Sequence, residues 1–407
     1  MTFDAAIDNT ASYVNRFHTV TMDLSPKTNV AGYSDCTGSP SLPLKLTPTL
    51  RATTLFWSLT PLVYGTGEGL GVGSGVPPIN NFSQHFFTGR SDNFDPKHNS
   101  GDPNDAHFDS EGMRLSNDGL RVYVSDEYGP YIYEFDRLTG LRLRSFQLPA
   151  SFYVSILSPV GTTEISGDKT QTPPIPANTS GRVANKGMEG LAITPDGRTL
   201  VGIMQNSLIQ DGGSKGSLLR IVTIDIHSGK VTHQYGYLLT VGSGVSEIVA
   251  LNEHEFLVDE RDGTGRESGG VPLGASTNAK FKQLFTIDLK NAIDISGLDD
   301  GSLTLATVLG DPTYHTVQKK LFLDIVHGLN SIGIPLDHIP SKIEGVSFGP
   351  DVKVKSETLH TLWIGNDSDF IQEVLDAAGN VILNPNQFFV FGFTDSSVEL
   401  GGSKFVP

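Results

Sequence analysis

EGMRLSNDGLRVYVSDEYGPYIYEFD (111–136) is the stretch whose reading decides the fold. Met113 and Leu115 lead into Ser116-Asn117-Asp118-Gly119, where the Asp-Gly pair accepts the backbone angles of a tight hairpin. Val122-Tyr123-Val124 forms a β-branched and aromatic run, Gly129-Pro130 breaks it, and Tyr131 to Phe135 supplies a third strand. Asp136-Arg137-Leu138-Thr139-Gly140 signals another hairpin, so Leu141 to Leu148 is expected to be the fourth strand.

The same small unit recurs. Glu111-Gly112-Met113 is matched by Glu68-Gly69-Leu70, Glu189-Gly190-Leu191 and Glu344-Gly345-Val346, with Ser246-Glu247-Ile248 as a degenerate copy. The flanks recur as well. Glu189 to Ile193 meets the turn Pro195-Asp196-Gly197-Arg198, then the strand Thr199 to Met204, then Gln205-Asn206. Asp225-Ile226-His227-Ser228-Gly229 copies the Asp136 to Gly140 turn. The intervals are uneven, so these are repeats with insertions, and long insertions belong in loops. Four short antiparallel strands repeated around an axis describe a β-propeller. We expect an all-β chain with five to six blades of four antiparallel strands, six favoured. Residues 1–61 are read as an N-terminal arm with possible closing strands and 62–407 as the propeller domain. Phe388 to Phe393 is expected to complete a blade begun by N-terminal residues.

Composition agrees with this class: 407 residues carry 45 Gly and 23 Pro, and no long segment has helical period. The net charge of −16 excludes nucleic acid and anionic membrane surfaces as main partners, because both need a basic footprint. Cys36 is the only cysteine, so no intrachain disulfide or thiolate cluster forms. No apolar run reaches the ~18 to 20 residues of a membrane span. Met1 to Phe17 lacks the pattern of a secretion signal, while N-x-S/T triplets at Asn81, Asn178 and Asn366 are compatible with export.

In a propeller the innermost strands line a central channel, so a Glu at each first strand becomes part of a carboxylate ring. A second set, Asp92, Asp126-Glu127, Glu260 and Asn366-Asp367, is expected to end the second strands and return to the same rim. Two carboxylates about 5 Å apart repel by about 3 kcal/mol at an effective dielectric of about 20. Protons, neighbouring cations or a metal must compensate. Oxygen donors suit Ca²⁺, with Mg²⁺ as the alternative, and the absence of HExxH or a His cluster speaks against zinc. The candidate ligands are Glu68, Glu111, Asp126, Glu127, Glu189, Glu247, Glu260 and Asp367. Arg90, Lys186, Arg261, Lys342 and Asn366 are candidates for holding an anionic substrate. Glu111, Glu189, Glu344 and His107 are the candidate acid–base groups. A purely structural use of each Glu, capping a turn or pairing with backbone, stays open.

At these segments the chain resembles the phytase-like family known for the esterase-like activity of phytase. The resemblance is carried by 111–136, by NKGMEGLAITPDGRTL (185–200), by VDERD (258–262) and by KIEGV (342–346). It implies a secreted or periplasmic propeller and a metal-assisted phosphoesterase acting on a small phosphate ester, which we expect to be a monomer. A lactonase or carboxylesterase on the same acidic centre, and a non-catalytic ligand-binding or scaffold propeller, are the alternative readings.

Overall fold

Strands form where β-branched and aromatic residues run between Gly, Pro and Asp turns, and their order gives the architecture. The computed structural model describes residues 13–26, 44–65, 75–90, 93–95, 97–158, 161–240, 242–268, 274–298, 316–354, 356–369 and 371–394. A long ribbon opens the chain, β1 (Arg16–Pro26) against β2 (Leu44–Leu55). The short pair β3 (Trp57–Ser58) and β4 (His85–Phe86) follows. The first full blade is β5 (Ser110–Leu115), β6 (Arg121–Asp126), β7 (Tyr131–Asp136) and β8 (Arg142–Gln147). The second is β9 (Met188–Ile193), β10 (Thr199–Met204), β11 (Leu218–Asp225) and β12 (Lys230–Leu238). The third is β13 (Gly244–Ala250), β14 (Glu255–Arg261), β15 (Lys282–Asp288) and β16 (Lys319–Asp324). The fourth runs β17 (Ile343–Val354), β18 (Glu357–Asn366) and β21 (Phe388–Phe393), with the small hairpin β19 (Glu373–Leu375) and β20 (Val381–Leu383) inserted.

The molecule is therefore an all-β propeller, and its four-strand unit is met in three sheets among the described residues. Two expectations are corrected. The strand Phe388 to Phe393 joins β18, completing its own sheet and not a blade begun by the N-terminus. No sixth blade is present among the described residues. Between the fourth sheet and the first lies a sector pieced together from β3–β4 and single bridges, Val14 to Thr88 and Thr88 to His107. Residues 299–315 lie outside the described residues.

Successive innermost strands touch, β5 with β9, β9 with β13 and β13 with β17. The core sits between blades, not in one centre. Tyr123, Ile132 and Phe146 of the first blade pack on Met188, Leu191 and Val222 of the second. Ile203, Leu219 and Tyr237 of the second pack on Val245, Phe256 and Ile287 of the third. An aromatic cluster of Phe56, Phe87, Phe108, Tyr133 and Phe135 fastens the pieced sector to the first blade, with the Phe56 and Phe135 rings stacked at 4.1 Å.

Two glycines of the repeat explain its spelling. A Cβ on Gly112 would stand 2.6 Å from the Leu191 nitrogen, and one on Gly190 would stand 2.8 Å from the Ile248 nitrogen. The residue after the glutamate must be Gly there because the backbone of the next inner strand passes against it.

Candidate functional site

Glu111, Glu189 and Glu344 sit at breaks in strand register, and in the third sheet the equivalent place is taken by Ser246, beside Glu247. The ladder shifts between Ser110 and Met113, around Glu189 opposite Ile203/Met204, between Val245 and Glu247, and between Ile343 and Gly345. A bulge re-aims the side chain it carries, here in four inner strands at one level. Glu111, Glu189, Glu344 and Asp367 line both of two adjoining cavities, of about 520 and 540 Å³. One cavity continues past Lys186, Gln205, Arg261 and Lys342; the other continues past Tyr13, Arg114, Trp363 and Phe388.

The carboxylates crowd at one point. Oxygens of Asp109, Glu111 and Glu127 all lie within 4.8 Å of one another. Burial drives the Asp109 carboxyl up to about 8, with the nearby Asp126 adding to it. Burial, then Glu189, Glu127 and Asp109, push Glu111 well above the usual carboxylate range. Glu127 is raised in the same way by burial, Glu189 and Asp109. Asp109 Oδ2 has no hydrogen-bond partner among the described residues. Three carboxylates, one of which carries an orphaned buried oxygen, fit a hard divalent cation, which would exchange the mutual repulsion for attraction.

Neighbours hold this cluster in place. The Asp126 carboxylate accepts from the backbone N–H of Asp109 and of Tyr128 at 3.2 and 2.9 Å, and burial lifts it to about 7. Gln205 Nε2 donates to Glu127 at 2.8 Å and to Glu189 at 2.7 Å. Burial and Glu344 raise Glu189 to about 7, against the pull of Arg261.

The cations lie beside Glu344 and Asp367. Arg261 donates to Glu344 and, through Nε, to Ser246 Oγ at 2.7 Å. Lys342 Nζ reaches Asp369 at 2.6 Å, Asp367 at 3.0 Å and Glu344 at 3.4 Å. Burial opposes ionisation of Asp367, yet Lys342 overcomes it and holds that carboxyl far below its usual range. Lys186 Nζ donates to Gln205 Oε1 at 3.4 Å.

The other predicted residues have different surroundings, although Glu247 and Asn366 still line the cavity of Trp363. Glu247 accepts from the backbone N–H of Leu191 and of Ile248 and pairs with Arg114 at 3.0 Å, so it ties three inner strands together. Glu260 faces Tyr237, Thr240, Ser243 and Lys319, outside both cavities. His107 is buried between Phe94 and Tyr128, and burial followed by Arg182 lowers it to about 3. Arg90 is buried and lines neither cavity. Asn366 lines the cavity of Trp363 and Phe388, and its Oδ1 accepts from Gln387 N at 2.6 Å. Glu68 lies outside the described residues. Of the glycosylation triplets, Asn178 is buried with its amide bonded to Ile156 and Glu164, whereas Asn81 is exposed in a turn.

Asp109, Gln205, Ser246 and Asp369 were not singled out from sequence. Asp109 precedes Glu111 by two, and Gln205 ends its second strand as Glu127 does, so their positions in the repeat were the available signal.

A propeller whose channel is ringed by buried carboxylates, with cations on one side, is the class that fold and site define. The chain belongs to the phytase-like family, described by the esterase-like activity of phytase, which matches residues 3–370. An uncharacterized secreted protein of Arthroderma benhamiae is 31% identical over 249 residues, covering 55% of this chain and 47% of that protein. The chain thus spans about half the length of that curated relative. A Pseudomonas aeruginosa periplasmic gluconolactonase is similar at 11% identity, covering 72% of this chain and 61% of its own, with a TM-score of 0.27. A putative 6-phosphogluconolactonase from Bacteroides uniformis is similar at 11% identity, covering 84% and 78%, with a TM-score of 0.29.

Proposed function

We propose that the chain is a metal-dependent hydrolase of phosphate esters working in the central channel, with Ca²⁺ as its cation. The observation that carries this reading is the convergence of Asp109, Glu111 and Glu127 oxygens within 4.8 Å, with Asp109 Oδ2 unpartnered among the described residues. These three residues would hold the ion, and a bound divalent cation supplies polarisation of the phosphoryl oxygen and of water. Lys186, Arg261 and Lys342 favour an anionic group in the cavity they line. Glu189 stands where both cavities meet and is placed to move the proton. Water adds to phosphorus, the bond from phosphorus to the alcohol oxygen breaks, and the leaving oxygen keeps the electron pair and takes up a proton.

The test is turnover of a phosphoester panel with and without chelator, beside Ca²⁺ titration of Glu111→Gln. We expect chelation to abolish turnover and the substitution to weaken Ca²⁺ binding by about tenfold or more, in line with losing one charged ligand. Turnover indifferent to both rejects the metal reading. Arg261 and Lys342 are already engaged by Glu344, Asp367 and Asp369, which favours a second reading, a lactone or carboxylic ester with less charge. A lactone panel under the same conditions separates the two. A scaffold role predicts no bound metal in elemental analysis. We further propose that the chain acts as a monomer outside the cytoplasm, in keeping with its secreted relative in Arthroderma benhamiae.

A further inference from the structure

The two cavities differ in character, and the difference bears on the substrate. Beyond the shared carboxylates, the cavity of about 520 Å³ is walled by Met113, Val346, Trp363 and Phe388. Met113 is 40% and Phe388 48% exposed, so both offer apolar surface to a ligand in the cavity they line. The indole is held in place. Trp363 Nε1 donates to Thr361 Oγ1 at 3.0 Å, and a Cβ on Gly349 would stand 2.1 Å from that nitrogen. Gly349 is therefore required by the tryptophan.

Gly345 differs from the other glycines of the repeat. Its φ is not positive, and a Cβ there would meet no atom nearer than 3.9 Å. Packing compels Gly112 and Gly190, yet nothing among the described residues compels Gly345. Its missing side chain leaves space beside Val346 and Trp363, next to Glu344.

We propose that the substrate is an ester of an aromatic alcohol, with its anionic part in the cavity of Lys186, Arg261 and Lys342 and its ring in the cavity of Trp363, Phe388, Met113 and Val346. This rests on reading the channel as an ester-hydrolysing site. The volumes of about 520 and 540 Å³ each fall in the range of small-molecule pockets. The shared rim of Glu111, Glu189 and Glu344 would then lie at the bond between the two parts.

Binding of non-hydrolysable probes tests the proposal apart from turnover. Benzylphosphonate, methylphosphonate and benzyl alcohol are titrated into the Ca²⁺-loaded protein by calorimetry and by tryptophan fluorescence. The chain has 2 tryptophans, and Trp57 donates to Thr139 O away from this cavity, so Trp363→Leu identifies the responding ring. We expect benzylphosphonate to bind about tenfold tighter than methylphosphonate, a modest return for covering one aromatic ring. Gly345→Val, which leaves both tryptophans in place, and Trp363→Leu are each expected to erase that preference while keeping methylphosphonate binding. Equal affinity of the two phosphonates, or a preference that survives both substitutions, overturns the aromatic subsite and leaves the hydrolase reading intact. Benzyl alcohol quenching Trp363 with neither phosphonate binding upholds the subsite and overturns the phosphate reading. No binding of either aromatic probe overturns the subsite.

Discussion

Asp259 is fully buried in β14, and both its carboxylate oxygens are without a partner among the described residues. Burial raises it from 3.8 to about 8, despite Arg261 and Lys282. An acid raised in the folded state keeps its proton after the unfolded chain has lost it, so the folded state binds more protons between about 4 and about 8. Stability therefore falls as pH rises through that window. Asp259→Asn is neutral throughout and nearly the same shape. Urea denaturation at pH 5 and pH 8 should show the variant gaining about 1–3 kcal/mol over the parent at the higher pH, the usual cost of an unsatisfied buried polar group. An unchanged difference between the two pH values refutes this. His107 works in the opposite sense. Lowered from 6.5 to about 3, it costs stability as pH falls through that range, because the unfolded chain takes up the proton first. His107→Phe should soften the loss of stability between pH 6 and pH 4 in the same denaturation series.

Among elements, the inner strands carry both packing and chemistry in neighbouring residues. Gly190→Ala places a methyl 2.8 Å from the Ile248 nitrogen and 2.9 Å from the Glu247 carbonyl carbon. These contacts are with backbone that cannot turn aside, so overpacking should cost about 1–3 kcal/mol, read as a lower denaturation midpoint. The Glu-Gly pair was legible in sequence because turn, strand and acid recur together over a short span. The bulges were not, since a register shift depends on the partner strand. Asp109 consequently escaped notice although it stands two residues from Glu111, and Glu247 read as a ligand although its oxygens serve Leu191, Ile248 and Arg114. The surroundings of His107 were not legible for a similar reason: Phe94 and Tyr128 close over it, and that is tertiary packing. The pieced sector left no periodic signature, because its strands are short and distant in the chain.

On the scale of the whole molecule, a chain of net charge −16 gathers several carboxylates at one axis, and folding has to bear their repulsion. A cation bound only by the folded ring stabilises it by mass action, about 2.7 kcal/mol at a hundredfold excess over Kd. Thermal unfolding should accordingly move upward with added Ca²⁺, and Glu111→Gln should blunt the shift. A midpoint indifferent to Ca²⁺ would speak for a structural ring.

The sector between the fourth and first sheets also sets how the chain reaches its native state. Asn15 Nδ2 donates to the Phe108 carbonyl, a contact spanning 93 residues, and Phe56 N donates to Asn15 O while Asn15 N donates to Phe87 O. Each such contact waits on the closure of a long loop before it returns any energy, whereas hairpins such as β5–β6 need only a tight turn. These contacts fasten the N-terminal segment to the first blade, and each costs more loop-closure entropy than a tight hairpin within a blade.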